Sequence, residues 1–292
     1  MGHLSGKREG LLSERPAPVL MRAIHRRLER KTAPEAAGLI AVSQTYIDLL
    51  RTAYPQIATK PACLSPFGCS RADFDAAQRV GQVSPALKSA SGEGTVTCLF
   101  AGRVAPAMER ALANLFSIVA EARAAGVSTF QRLRFVFVGT GYGGGVTERM
   151  ASRLAEAAGI ADQITELSER IPLLDAWRSS LEADCLLVLG SEDAGYIPSK
   201  LNAILSLRKP LICAAPRNCL VYEETKDITT VVAISPDIEP QTVELADRLK
   251  ALLAGGGDYQ ERQLRCQPNE AHECARIDCA LFDKALEAAS PP

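Results

Sequence analysis

The sequence predicts an α/β fold, a doubly wound parallel (Rossmann-like) sheet, on three observations. Apolar runs of strand length alternate with helical patterns of about ten residues or more between residues 95 and 254, the signature of parallel βαβ units. Runs such as Leu133-Arg-Phe-Val-Phe-Val138 and Asp184-Cys-Leu-Leu-Val-Leu-Gly190 are apolar at nearly every position, as in strands covered on both faces. The turn after the second of these is charged and bears glycine, Glu192-Asp-Ala-Gly195, at the strand edge where open α/β sheets bind ligands. Right-handed crossovers then put helices on both faces.

Composition bounds the rest. A chain of 292 residues with 47% hydrophobic content buries a sizeable core in one large or two ordinary domains. Lys plus Arg number 33 against 34 for Asp plus Glu, so no overall basic field recommends nucleic acid. No apolar run reaches the roughly 18 residues that span a bilayer, and Met1-Gly-His-Leu-Ser-Gly-Lys-Arg-Glu9 opens no signal peptide. The nine cysteines are scattered, with Cys98, Cys185 and Cys213 inside apolar runs. Reduced thiols and a cytoplasmic setting are expected. Cys266, His272, Cys274 and Cys279 lack the Cys-x2-Cys pair of a zinc site, and no metal or other cofactor is expected. His3, His25 and His272 form no catalytic cluster.

Taken in order, residues 1–19 are polar, with Pro16 and Pro18. Leu20, Met21, Ile24 and Leu28 share one helical face, flanked by Arg22, Arg26, Arg27, Arg30 and Lys31. A solvated basic surface helix is favoured over peripheral contact of residues 20–31 with anionic lipid. Residues 37–42 read as a strand, Ser43 as the N-cap of a helix over 44–53, and 62–68 as a brief strand. Residues 73–91 are polar and weakly patterned, and Ser89-Ala-Ser-Gly-Glu-Gly94 reads as a linker. Strands then fall at 95–100, 133–138, 163–167, 184–189, 210–214 and 229–234, with helices at 108–125, 146–158, 172–182, 198–207 and 240–254. A largely helical tail covers 259–289, interrupted at Pro268. The expected division is 1–90, 91–256 and 257–292.

Gly139-Thr-Gly141-Tyr-Gly-Gly144 satisfies Gly-x-Gly-x-x-Gly between a strand and a helix, where backbone amides suit a phosphate. An NAD-type oxidoreductase is the alternative this motif raises. The motif follows the second strand of the sheet, however, and Glu166, some 20 residues on, does not close a long apolar strand as a ribose-binding acid does.

The order of features fits another family better. Ala37-Gly-Leu-Ile-Ala-Val-Ser43, Ser65-Pro-Phe-Gly68, Phe100-Ala-Gly-Arg103, Val138-Gly-Thr-Gly141, Ala157-Ala-Gly-Ile-Ala-Asp-Gln-Ile164, Glu192-Asp-Ala-Gly195 through Leu201, and Lys209-Pro-Leu-Ile212 resemble, in this order and spacing, a GT-B glycosyltransferase of the retaining, nucleotide-sugar-dependent family 4. The likeness runs from about Ala37 to Leu253. It implies a donor domain at 91–256, a remnant of an acceptor domain at 1–90, and a truncated first domain. The implied chemistry is transfer of a sugar from a nucleotide diphosphate to a glycan, lipid or small-molecule acceptor with retention, the leaving diphosphate being neutralised by cations and helix amides without a metal. As given, the chain is expected to bind nucleotide or nucleotide sugar with weak or absent transfer; a non-catalytic sugar-nucleotide-binding module is the second reading. The resemblance places catalysis on Glu192, Arg103 and Lys200. Donor binding falls on Gly102, Arg110, Gly139, Gly141, Tyr142, Ile171, Gly195, Tyr196, Ile197, Pro198, Ser199 and Asn202, with Gly195 to Ser199 offering backbone amides. Two positions depart from the family: Met108 stands where it has a lysine, and its second, ribose-binding glutamate falls on Lys200, Asn202 or Ala203.

Overall fold

The computed structural model describes residues 16–141, 149–239, 242–266 and 270–289. In chain order they form α1 (Pro16–Glu35), β1 (Leu39–Ala41), α2 (Gln44–Ala53), β2 (Ala62–Leu64), α3 (Arg71–Val80), α4 (Pro85–Ala90), β3 (Val96–Ala101), α5 (Glu109–Ala124), α6 (Ser128–Arg132) and β4 (Leu133–Val138). There follow α7 (Met150–Ala157), β5 (Ile164–Leu167), α8 (Leu173–Glu182), β6 (Cys185–Leu189), α9 (Leu201–Ser206), β7 (Leu211–Ala214), α10 (Leu220–Thr225), β8 (Val231–Ile234), α11 (Thr242–Leu253), α12 (Tyr259–Cys266) and α13 (Ala271–Ala289). Two compact units divide the chain: residues 1–66 with 271–292, and residues 67–270.

The first unit is built on β1 and β2, which pair in parallel from Leu39↔Ala62 to Ala41↔Leu64. Leu39, Ala41, Ile47 and Ile57 form its small core. Lys60 Nζ donates to the carbonyls of Pro34 and Ala36 at the end of α1, where a cation satisfies orphan acceptors. Ser43 takes the N-cap position of α2, yet its hydroxyl makes no cap bond and is buried without a partner.

The second unit holds a six-stranded parallel sheet in the order β5-β4-β3-β6-β7-β8. Winding runs outward from β3 in one direction and from β6 in the other, so the order reverses between these two strands. β3 pairs with β4 from Val96↔Leu133 to Ala101↔Val138 and with β6 at Cys98↔Cys185 and Leu99↔Leu186. The unbroken apolar runs divide by alternation. Cys98, Phe100, Phe135, Phe137, Leu187 and Leu189 join one core with α5, α7 and α11, while Leu99, Val136, Val138, Leu186 and Val188 join a second with Trp177, Leu201 and Leu205. That is the two-sided burial expected of a doubly wound sheet.

Helices α3 and α4 lie in the stretch whose polar composition gave little pattern. Phe74 meets Trp177 edge-on at 5.3 Å, and the amides of Gln82 and Ser84 donate to Asp175 (2.8 Å) and Ser179 Oγ (2.9 Å) on α8. The helical stretch expected at 146–158 begins at Met150, with Arg149 in the N-cap position and residues 146–148 outside the described ones. The helix expected from Pro198 begins at Leu201, and the tail divides into α12 and α13. Arg262 on α12 is 1% exposed. It donates to the carbonyls of Leu205 (2.7 Å) and Leu207 and to Thr230 Oγ1 (3.2 Å), and lies 5.2 Å over the Tyr259 ring. Burial lowers its pKa to about 10. This arginine ties α12 to the end of α9, whose other end borders the site.

Candidate functional site

The ladder continues past the strand ends into the turns. Gly102 N donates to Val138 O (2.8 Å), Gly139 N to Leu167 O (2.8 Å), Gly141 N to Ser168 O (3.0 Å) and Gly190 N to Ala214 O (2.8 Å). Gly139 has φ +73, a conformation that side chains other than glycine adopt at a cost. At Gly190 a Cβ would come within 2.3 Å of the Ala215 Cβ, so only glycine lets β6 and the turn after β7 approach this closely. The turns after β3, β4, β5 and β6 thus stand on a tight shelf at the carboxyl edge.

The turn after β6 is held from several sides. Glu192 N donates to Ala107 O (2.9 Å), and its carboxylate accepts from Arg110 Nε (2.8 Å) and Nη2 (3.4 Å). Arg110 Nη1 donates to Asp237 Oδ1 (2.6 Å), and the other Asp237 oxygen accepts from Arg217 N (2.7 Å). Glu192 first, then Asp237, raises the Arg110 pKa; Arg110 first, then the Arg217 amide, lowers that of Asp237. An open depression of about 500 Å³ lies against this network, lined by Arg110, Arg217, Asn218, Glu223 and Asp237.

Further along the same turn, Gly195 N donates to Asp193 Oδ1 (3.0 Å) and Tyr196 N to Asp193 O (3.0 Å). Two of the amides expected for a ligand are therefore taken up by the turn. Burial pushes the Tyr196 phenol up to about 12, with Cys219 adding to the shift and the charge of Arg103 opposing it. Lys200 reaches back to β3, its Nζ donating to Ala101 O. A Cβ at Gly102 would lie 3.2 Å from that nitrogen. Burial, and after it the charge of Arg170, lowers the Lys200 pKa.

Glu192, Arg110 and Lys200 thus lie in or against the turn after β6, with Gly102 and Arg103 at the end of β3 beside it. Ile197, Pro198 and Ser199 complete the turn ahead of α9. Other residues are committed elsewhere. Asn202, expected to reach ribose, is 8% exposed and donates its Nδ2 to Phe67 O (2.8 Å). Ile171 packs against the core around Trp177. Tyr142, with the glycines that follow it, lies outside the described residues. Sequence reasoning missed Asp237 and Arg217; only the charge of Asp237, just after an apolar run, was available to flag them.

The helix after the glycine turn bears on the dinucleotide alternative. Glu166 accepts from Ser152 N (2.8 Å) and Ser152 Oγ (2.9 Å) through one oxygen and from Thr140 Oγ1 (2.7 Å) through the other. An internal carboxylate thus occupies the first turn of α7, which a bound pyrophosphate would use. Among the described residues, no group of three or more His, Cys, Asp or Glu is placed to hold a metal ion.

No known sequence family matches the chain, and no curated protein does. Solved structures do match in three dimensions. A UDP-forming α,α-trehalose-phosphate synthase from Burkholderia xenovorans superposes with a TM-score of 0.64 at 11% identity, over 94% of this chain and 66% of its own. The α,α-trehalose 6-phosphate synthase from Burkholderia multivorans gives 0.62 at 15%, over 94% and 65%. The sucrose-phosphate synthase from Thermosynechococcus elongatus gives 0.56 at 16%, over 92% and 63%. The fold is of the GT-B glycosyltransferase type. The chain spans just under two thirds of the length of these structures.

Proposed function

We propose that the chain binds a nucleotide-diphosphate sugar at the carboxyl edge of its six-stranded sheet, as the donor-binding part of a retaining glycosyltransferase. Residues 91–256 are the donor domain in this reading. The acceptor in this reading is a glycan, lipid or small molecule. The observation that carries the reading is the placement of Gly102, Arg103, Lys200 and Glu192 on facing turns at the point where the strand order reverses between β3 and β6, the crevice where open parallel sheets take their ligands. Arg103 and Lys200 are the cations that neutralise a departing diphosphate, an electrostatic role that needs no protein nucleophile. The GT-B fold of the trehalose-phosphate and sucrose-phosphate synthases supports the same ligand class.

The closed Glu192–Arg110 pair favours a second reading, a non-catalytic sugar-nucleotide-binding module. A carboxylate with both oxygens on one guanidinium is a poor partner for a sugar unless the pair opens. Titration calorimetry of the folded chain against UDP, GDP and ADP sugars tests binding, expected for one nucleotide series. Absence of heat with every one overturns both readings. Where a donor binds, Glu192→Ala separates them: slower transfer or donor hydrolysis supports the transferase, and unchanged binding with no turnover in either protein supports the module.

A further inference from the structure

Arg110 holds two carboxylates that differ in what else supports them. Asp237 is a fixed post: one oxygen accepts from Arg110 Nη1 (2.6 Å), and the other accepts from Arg217 N (2.7 Å) and Ser235 Oγ (3.4 Å). Glu192 is anchored through its backbone, whose N–H donates to Ala107 O (2.9 Å). Among the described residues its carboxylate bonds only to Arg110. Arg110 itself stands in the first turn of α5, so the helix fixes its backbone and the long side chain is the part free to swing. Room for that movement is at hand. The depression of about 500 Å³ beside Arg110 is walled by Arg217, Asn218, Glu223 and Asp237, and among the described residues Glu192 is not one of its walls. A guanidinium that leaves Glu192 for the depression therefore keeps Asp237 and enters a space that also holds the Glu223 carboxylate.

We propose that Arg110 is a latch on Glu192 and that Asp237 is the positioning residue that works it: when a sugar needs the Glu192 carboxylate, Arg110 withdraws into the depression on Asp237. Both carboxylates draw on one guanidinium and repel each other, so Asp237 loosens the hold of Arg110 on Glu192. It thereby raises the fraction of molecules in which Glu192 is open. A ligand that needs the open form binds with its affinity reduced by that fraction. Half-exposed ion pairs are weak, which makes the closed form one that a ligand can displace. The family resemblance makes Arg110 a donor-binding residue; the latch makes it an obstacle that Asp237 relieves. For the sugar the inference rests on the donor-binding reading above; the competition between Glu192 and Asp237 for Arg110 stands without it.

Unfolding curves of the full chain measure the competition without ligand. In a double-mutant cycle, the coupling between Arg110→Gln and Glu192→Gln is expected to be larger in an Asp237→Asn background than in wild type, because Arg110 deprived of Glu192 then has no Asp237 to turn to. An equal or smaller coupling means that the three groups reinforce one another, and overturns the latch. Calorimetric titration with UDP-glucose, GDP-glucose and ADP-glucose reads the consequence. For whichever of these binds, Arg110→Gln is expected to tighten binding and Asp237→Asn to weaken it, each by about threefold, with Asp237→Glu restoring the wild-type affinity. Shifts in the same direction, or none, overturn the latch, since a merely structural network loses affinity with either change. Arg110→Lys, which keeps the charge and loses the paired bonds to Glu192, takes the place of Arg110→Gln if that variant does not fold. If the ligand-free coupling behaves as expected and no glucose nucleotide binds, the competition stands and the donor reading fails for glucose nucleotides.

Discussion

Arg110 is flanked by two carboxylates, and its charge serves the turn before it serves any ligand. Its side chain and that of Glu192 are about half exposed, at 48% and 47%, whereas Asp237 is at 32%, so the Asp237 contact is the better shielded of the two. The sign of its pH dependence follows from the lowered Asp237 pKa. A depressed carboxyl contributes stability above its unfolded value, and that contribution disappears as pH falls through the folded one, below the model-peptide value of about 3.9. Asp237→Ala is expected to cost about 1 kcal/mol at pH 7, through the lost bonds to Arg110 and the Arg217 amide. The difference between variant and wild-type melting temperatures should be constant around pH 7 and shrink as acid carries Asp237 through its lowered folded pKa; a difference that stays unchanged down to acid unfolding would show that the carboxylate charge is not what matters. Glu192 was singled out from a short motif, Glu192-Asp-Ala-Gly195, and Arg110 only as a further cation near the end of β3; that the two pair with each other was not in the sequence pattern. Nor was Asp237, since it meets Arg110 across 127 positions, nor the diversion of Asn202 to the Phe67 carbonyl across 135.

Among the elements, α1 is where pattern and structure say most together. Tyr54 OH donates to Glu29 Oε1 (2.8 Å) and Ala33 packs on the Leu39–Ile57 core, so positions 29 and 33 face the first unit. At 100° per residue, Leu20, Ile24, Leu28 and Met21 occupy an arc on the other side; they are 62%, 40%, 54% and 48% exposed. No helix among the described residues is long and apolar enough to cross a membrane; an outward apolar arc with Arg27 and Lys31 on it leaves interfacial lipid contact as the alternative to a solvated surface helix. Peripheral lipid contact would appear as cosedimentation with vesicles containing phosphatidylserine and not with pure phosphatidylcholine, weakened by salt and abolished by Ile24→Ser with Leu28→Ser; the solvated surface helix favoured by the sequence predicts no such preference. Equal recovery with both vesicle types, or with neither, sinks the idea. Elements that escaped the sequence did so for a local reason. The buried stripe of α3 rests on Phe74 and Ala77, too narrow to show a period, and α10 spans six residues, less than two turns.

For the molecule as a whole, the alternation of apolar runs with helical patterns specified the sheet, because burial on both faces leaves a strand no polar side to advertise. Which strands neighbour which was not in the pattern; it follows from winding outward from β3 and β6. The same burial governs the nine thiols, none of which is in a disulfide among the described residues. Cys279 is exposed and Cys63 partly so, whereas Cys98, Cys185 and Cys213 lie inside the sheet. Burial pushes the Cys213 thiol up to about 12 and that of Cys266 up to about 11. Since the thiolate is the reacting species, these groups are shielded by both access and ionisation. Mass-resolved labelling with a disulfide reagent at pH 8 is therefore expected to modify Cys279 first and Cys63 next. Cys98, Cys185 and Cys213 should follow together, at the rate set by opening of the sheet. A ligand that binds only the folded sheet stabilises it by about 2.7 kcal/mol at one hundred times its dissociation constant. The three sheet thiols should then slow by about a hundredfold with saturating ligand while Cys279 is unaffected. Sheet thiols that react as fast as Cys279, or independently of one another, would contradict a single cooperative core.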